Sequence, residues 1–108
     1  ELGLNHISEI PKAVGKLKNL QNLSFAEGNA ISDIPETILD LENIEVLDLT
    51  ANNIRRLPAY ITRSRMNLTV NTKGEGVILA ENPLEEPPPQ IIEDGPTAVE
   101  NFFERQKN

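Results

Sequence analysis

The chain of 108 residues has no cysteine and no tryptophan, one histidine, one methionine, three phenylalanines and one tyrosine. Without cysteine there is no disulfide framework, thiolate metal site or thiol nucleophile, and the composition points to a reducing, cytoplasmic setting. His6 stands alone, so no histidine cluster can complete a metal site. The few aromatics are not interleaved with arginines, which leaves little for base stacking, and no nucleic-acid partner is expected. An apolar run of about 18 residues is also missing, as are a charged-then-apolar leader and a lipidation motif; neither a membrane association nor secretion is expected. The length suits one folded unit and is too short for two cores.

Charge is present, but unevenly. The net charge is −7, with nine acids against three lysines over residues 1–48 and seven acids against two bases over residues 80–108. Between them Arg55, Arg56, Arg63, Arg65 and Lys73 form a basic band without a single acid from 49 to 74. Such a band can serve a partner's carboxylates or phosphates. The simpler reading is a solvated face that keeps the chain soluble.

Self-similarity is the strongest signal. The stretch "LENIEVLDLTANNIRRLPAYI" places apolar residues at Leu41, Ile44, Leu47, Leu49, Ile54 and Leu57, followed by Pro58 and Ile61. The order recurs upstream in Leu17, Leu20, Leu23, Phe25, Ile31, Ile34, Pro35 and Ile38, and again in Leu2, Ile7, Ile10, Pro11 and Val14 of an incomplete first unit. Downstream, Val77, Leu79, Leu84, Pro88 and Ile91 form the last unit. Successive prolines lie 24, 23 and 30 residues apart, so the last interval holds an excursion near 65–76, read as a short hairpin tip from its Asn and Gly content. Asn5, Asn29, Asn52 and Asn82 hold one register just after each strand. Turned inward, their amides would donate and accept at once, satisfying peptide groups that have lost sheet partners.

The pattern L-x-x-L-x-L-x-x-N-x-I-x-x-I/L-P-x-x-I resembles the leucine-rich repeat family over about 90 residues. The resemblance implies an α/β solenoid: a short parallel sheet on the concave face, irregular, 3-10 or helical turns on the convex face, and a C-terminal capping helix. Residues 1–95 would be the repeats and 96–108 the cap. The 23-residue unit is similar to cytoplasmic repeats of Ras-scaffold and Roco-GTPase groups. Asn82, Pro83, Leu84, Pro87, Pro88, Ile91 and Gly95 also match the boundary that precedes an effector domain in such proteins.

No catalytic constellation is legible. Ser8, Ser24, Ser32 and Ser64 lack a nucleophile elbow, and the acid pairs Glu85-Glu86 and Glu93-Asp94 lack a partner ligand. The Asn22-Leu23-Ser24 and Asn67-Leu68-Thr69 sequons have no secretory context. The expectation is therefore a non-enzymatic module without metal or cofactor. The resemblance implies a protein partner bound through the concave face, at outward strand positions Asn22, Ser24 and Ala26, then Val46, Asp48 and Thr50, then Gly76, Ile78 and Ala80. Val46 and Ile78 would form its exposed apolar pair. The alternative is a regulatory arm of a larger signalling enzyme (a Roco-type GTPase, kinase or ubiquitin ligase) whose catalytic domain lies elsewhere; a purely structural cap fragment is a third reading.

The two ends differ. Leu2, Leu4 and Ile7 would expose a core layer, suggesting further repeats or self-association at that edge. At the other end, Thr97-Ala98-Val99-Glu100 fits a capping box. The spacing predicts a helix over 97–106 with Phe102 or Phe103 as a plug for the last core layer. Pro87, in place of a core Leu or Ile, is expected to weaken the packing there.

Overall fold

Four prolines set the period of the structure. The computed structural model describes residues 8–26, 30–72 and 74–106; Leu2, Leu4, Asn5, His6, Ile7, Asn29 and Lys73, singled out above, lie outside them. Pro11, Pro35, Pro58 and Pro88 each hold φ between −61° and −71° in extended backbone, as their rings dictate. Three 3-10 turns follow the first three, Lys12–Lys16, Glu36–Asp40 and Ala59–Arg63. In each, the amide three residues on, that of Val14, Ile38 or Ile61, donates to the proline carbonyl at 3.0–3.1 Å, and its side chain is buried. The fourth proline opens a short helix instead, α1 (Pro89–Glu93), since Pro89 at its first position needs no amide bond. With the wider α period the fully buried residue is Ile92, four residues after the proline, while the expected Ile91 is partly buried and also packs against the core.

The return of each coil is a strand. The sheet is parallel, with β1 (Asn22–Ser24), β2 (Val46–Asp48), β3 (Leu68–Thr69) and β4 (Gly76–Ile78) in the order β1-β2-β4-β3. Leu23, Leu47, Val77 and Leu68 lie in one row of the register, and Ser24, Asp48, Ile78 and Thr69 in the next. The first row points into the core, where Leu47 and Val77 are fully buried. Behind it Phe25, Leu49 and Leu79, then Ile31, Ile54 and Leu84, then Ile34, Leu57 and Pro87, stack as further columns between sheet and turns. Each buried aliphatic side chain contributes roughly 1.5–3 kcal/mol. Pro87 is fully buried, so the position expected to be poorly packed is filled.

The excursion near 65–76 is not a hairpin. Leu68-Thr69-Val70 repeats the in-out-in alternation of Val77-Ile78-Leu79, and Leu68 and Val70 pack against the core. The chain thus makes the strand of its last unit twice. It first lays β3 at the far edge, then steps back to place β4 between β3 and β2. Gly76 makes the step possible: its φ is +102°, and a Cβ there would stand 2.2 Å from the Asn67 carbonyl oxygen.

Asparagines close the coil. Asn52, 8% exposed, donates through Nδ2 to the carbonyls of Phe25 (3.0 Å), Leu49 (3.1 Å) and Thr50 (3.3 Å), and its Oδ1 accepts from the Ile31 amide (3.3 Å). Asn82 repeats this one unit later, with the Leu49, Leu79 and Ala80 carbonyls and the Ile54 amide. Each amide therefore ties its own turn to the unit before. Ala51 and Glu81, one residue earlier in each case, take up positive φ of 60° and 59°, which aims the next side chain inward. A second tie crosses the turns, where the Tyr60 hydroxyl donates to the Ile34 carbonyl. Its pKa is raised, first by partial burial and then by Glu36 and Asp33.

The C-terminal helix α2 (Pro96–Arg105) begins one residue before the expected start. Gly95 is its N-cap at φ +105° with Pro96 at the first helical position, so Thr97 lies inside the first turn and no side chain caps the helix. The capping box does not form. Nor is an aromatic ring the plug: Val99 is buried, whereas Phe102 and Phe103 are half-buried and meet edge to face at 5.5 Å. Phe103 packs on the rim of the core. A cleft of about 160 Å³ remains between α2 and the third repeat, lined by Ile61, Met66, Leu68, Ile92 and Val99 among others.

Three outcomes test this construction. Replacing Asn52→Leu leaves two carbonyls and an amide of the turn unpaired, at about 1–3 kcal/mol each, and urea denaturation should show a loss of at least about 3 kcal/mol. Gly76→Ala should also destabilise strongly, because both φ and the Asn67 carbonyl oppose a Cβ; an unchanged midpoint would contradict the backward step. Tyr60 stays protonated to higher pH in the folded chain than in the unfolded one, so stability should fall as pH rises above about 10. Tyr60→Phe should remove that part of the fall when the two pH profiles are compared.

Candidate functional site

The outward face of the sheet is built by the alternation that fills the core. Residues between the inward leucines point the other way, and on β1 and β2 they remain accessible: Asn22 is exposed, while Ser24, Ala26, Val46, Asp48 and Thr50 are half-buried. The backbone beneath them is fully paired from strand to strand, with the Phe25 amide on the Asp48 carbonyl and the Leu49 amide on the Ile78 carbonyl, both at 2.9 Å. The side chains therefore stand on a fixed grid.

Within the middle column the polar side chains also end their strands. Ser24 Oγ accepts from the Ala26 amide (3.2 Å), Asp48 Oδ1 from the Thr50 amide (3.0 Å) and Thr69 Oγ1 from the Asn71 amide (3.1 Å). The Thr50 hydroxyl adds a second bond to the same Asp48 oxygen at 2.6 Å. Each bond fixes a side-chain rotamer while leaving other lone pairs open.

On β4 the expectation fails. Gly76, Ile78 and Ala80 are buried, Ile78 to 4% and Ala80 to 3% exposure, so they are not accessible contact positions and Val46 and Ile78 do not form an exposed apolar pair. β4 lies between β2 and β3, and at its start Gly76 is pressed against the Asn67 backbone, whose carbonyl oxygen would stand 2.2 Å from a Cβ there. In exchange Thr69, expected in a hairpin tip, joins the middle column beside Ile78. The signal was there, in the match of Leu68-Thr69-Val70 to Leu47-Asp48-Leu49.

The arginine band does not converge. Arg55 pairs with Glu85 (3.3 Å), Arg56 with Glu86 (3.7 Å) and Arg63 with Glu36 (2.6 Å), all exposed links between repeats, worth a few tenths of a kcal/mol to about 1 kcal/mol each. The acid pair Glu85-Glu86 is thereby occupied by arginines. Asp94 accepts from Gln90 Nε2 (3.1 Å). Among the described residues no group of three His, Asp or Glu side chains is close enough to hold a metal ion, and no helix is long and apolar enough to cross a membrane. The Ser32 hydroxyl donates to Asp33, and Ser64 Oγ accepts from the Met66 amide, so these serines serve local turns. A larger, open groove of about 650 Å³ lies on the flank of the coil, over Ile10, Ile34 and Leu57 and beside Tyr60.

Comparison with known proteins agrees with the architecture. Residues 18–61, from just before β1 into the third 3-10 turn, match the family model described as leucine-rich repeats in two copies. A search of curated proteins returned no match. The matched pair of repeats, the parallel strands between proline-led turns and the inward asparagines together show a leucine-rich repeat solenoid, with residues 18–61 matching the family itself.

Proposed function

We propose that this chain is a non-catalytic protein-binding module whose contact surface is the β1–β2 part of the concave face: Asn22, Ser24, Ala26, Val46, Asp48 and Thr50. Leucine-rich repeats in general mediate protein–protein interaction. What supports this particular patch is its accessibility on a rigid backbone grid, while the outward residues of β4 are buried. Val46 is its apolar anchor and Asp48 its charge. The absence of cysteine supports a cytoplasmic setting.

Size sets the mode of binding. Stable partners usually bury about 800 Å² on each side, whereas two three-residue strands about 4.8 Å apart offer far less. The patch therefore acts as the specific centre of a contact completed by neighbouring turns or by further repeats. A partner domain within a larger signalling protein fits the same face. The resemblance of Asn82, Leu84, Pro87, Pro88 and Gly95 to a boundary before an effector domain supports that second reading.

Val46→Arg on β2 tests the proposal against Arg63→Glu on the convex turns. With both variants folded by circular dichroism, recovery of co-purifying proteins should fall at least about tenfold for Val46→Arg and stay unchanged for Arg63→Glu. Equal recovery by wild type and Val46→Arg would remove the concave face as the contact surface.

A further inference from the structure

We infer that the partner presents a basic side chain, arginine by preference, to Asp48 at the centre of the concave face. The inference rests on the proposed binding role of that face and names the chemistry it selects. Asp48 is the one charged residue among the outward strand positions of β1, β2 and β4, and it is half-buried between Ser24 and Ile78 in the sheet register.

Its carboxylate is oriented before any partner arrives. Both bonds from Thr50 fall on Oδ1; Oδ2 has no partner among the described residues. Arg55, Arg56 and Arg63 are held by Glu85, Glu86 and Glu36, away from the sheet face, and Arg65 lies with Glu45 and Glu75 in a small recess where the strands begin. Glu45 and Glu75, both exposed, outnumber Arg65 in that recess and leave the approach to β2 and β4 net negative. A carboxylate fixed by one oxygen and free at the other, flanked by the apolar Val46 and the buried Ile78, binds a cation with little reorganisation and reduced solvent screening. An arginine fork reaches Oδ2 with one N–H and the adjacent Ser24 oxygen with another, whereas an acidic or apolar partner group would leave Oδ2 desolvated and unpaired. The complementary surface is therefore a basic loop or peptide.

The test titrates hexa-arginine peptide into the isotopically labelled chain and follows backbone amide shifts, with hexa-glutamate as the control. Shifts concentrated on residues 22–26 and 46–50, weakened about tenfold in Asp48→Asn and absent with hexa-glutamate, are expected. Shifts spread over the acidic residues of α2 and unaffected by Asp48→Asn, or no shifts at all, would overturn the inference. The recovery experiment with Val46→Arg separates the two ideas. If that variant loses its partners while Asp48→Asn keeps them, the face binds protein but its partner is not basic at this point.

Discussion

The coil depends on peptide groups finding partners where each strand stops and the chain turns across the core. At that bend the backbone leaves the sheet before the next turn begins, and its carbonyls and amides face an apolar interior. Asn52 and Asn82 supply donors and an acceptor from one short side chain. An unpaired group there costs about 1–3 kcal/mol. Two such groups per repeat would approach the whole stability of a small domain, about 5–15 kcal/mol. Hydrophobic columns can only stack once this account is settled, because an apolar side chain in place of the amide would fill the space and leave the backbone unsatisfied.

Termination follows from the same logic of neighbours. A parallel sheet that grows by one strand per repeat leaves an open edge and an uncovered core layer at its end. Here the end is closed in two ways. The strand of the last unit is made twice, so that β3 occupies the edge and carries Leu68 and Val70 over the core, and α2 then lays Val99 against the remaining layer. At the outer face Gly76, Ile78 and Ala80 of the inserted strand β4 are buried.

The accessible remainder joins a rigid scaffold to a small set of polar groups. Ser24, Asp48 and Thr69 each accept the amide two residues on, which ends the strand and holds the side chain in place. In Asp48 the oxygen that turns the chain, Oδ1, also fixes the orientation of Oδ2. Arg55, Arg56 and Arg63, by contrast, are absorbed into exposed links between repeats, so the sheet face and the turns differ in electrostatic character within one chain of net charge −7.

What the residue order determined by itself is everything that repeats. The prolines, the inward leucines and the asparagine register are local rules applied several times; their spacing specified strands, turns and core columns, and the resemblance of that pattern to leucine-rich repeats implied an α/β solenoid. Proline fixes φ whatever surrounds it, and alternation of side chains follows from strand geometry. The remaining features required the folded chain. Which of two similar segments, Leu68-Thr69-Val70 or Val77-Ile78-Leu79, sits beside β2 depends on the packing of the whole end. So does the choice of Val99 over Phe102 or Phe103 as plug, and of Gly95 over Thr97 as cap. Burial at β4 is the clearest case: Ile78 holds an outward position by pattern and an inner one by environment, because exposure is a property of neighbours that are distant along the chain and close in space.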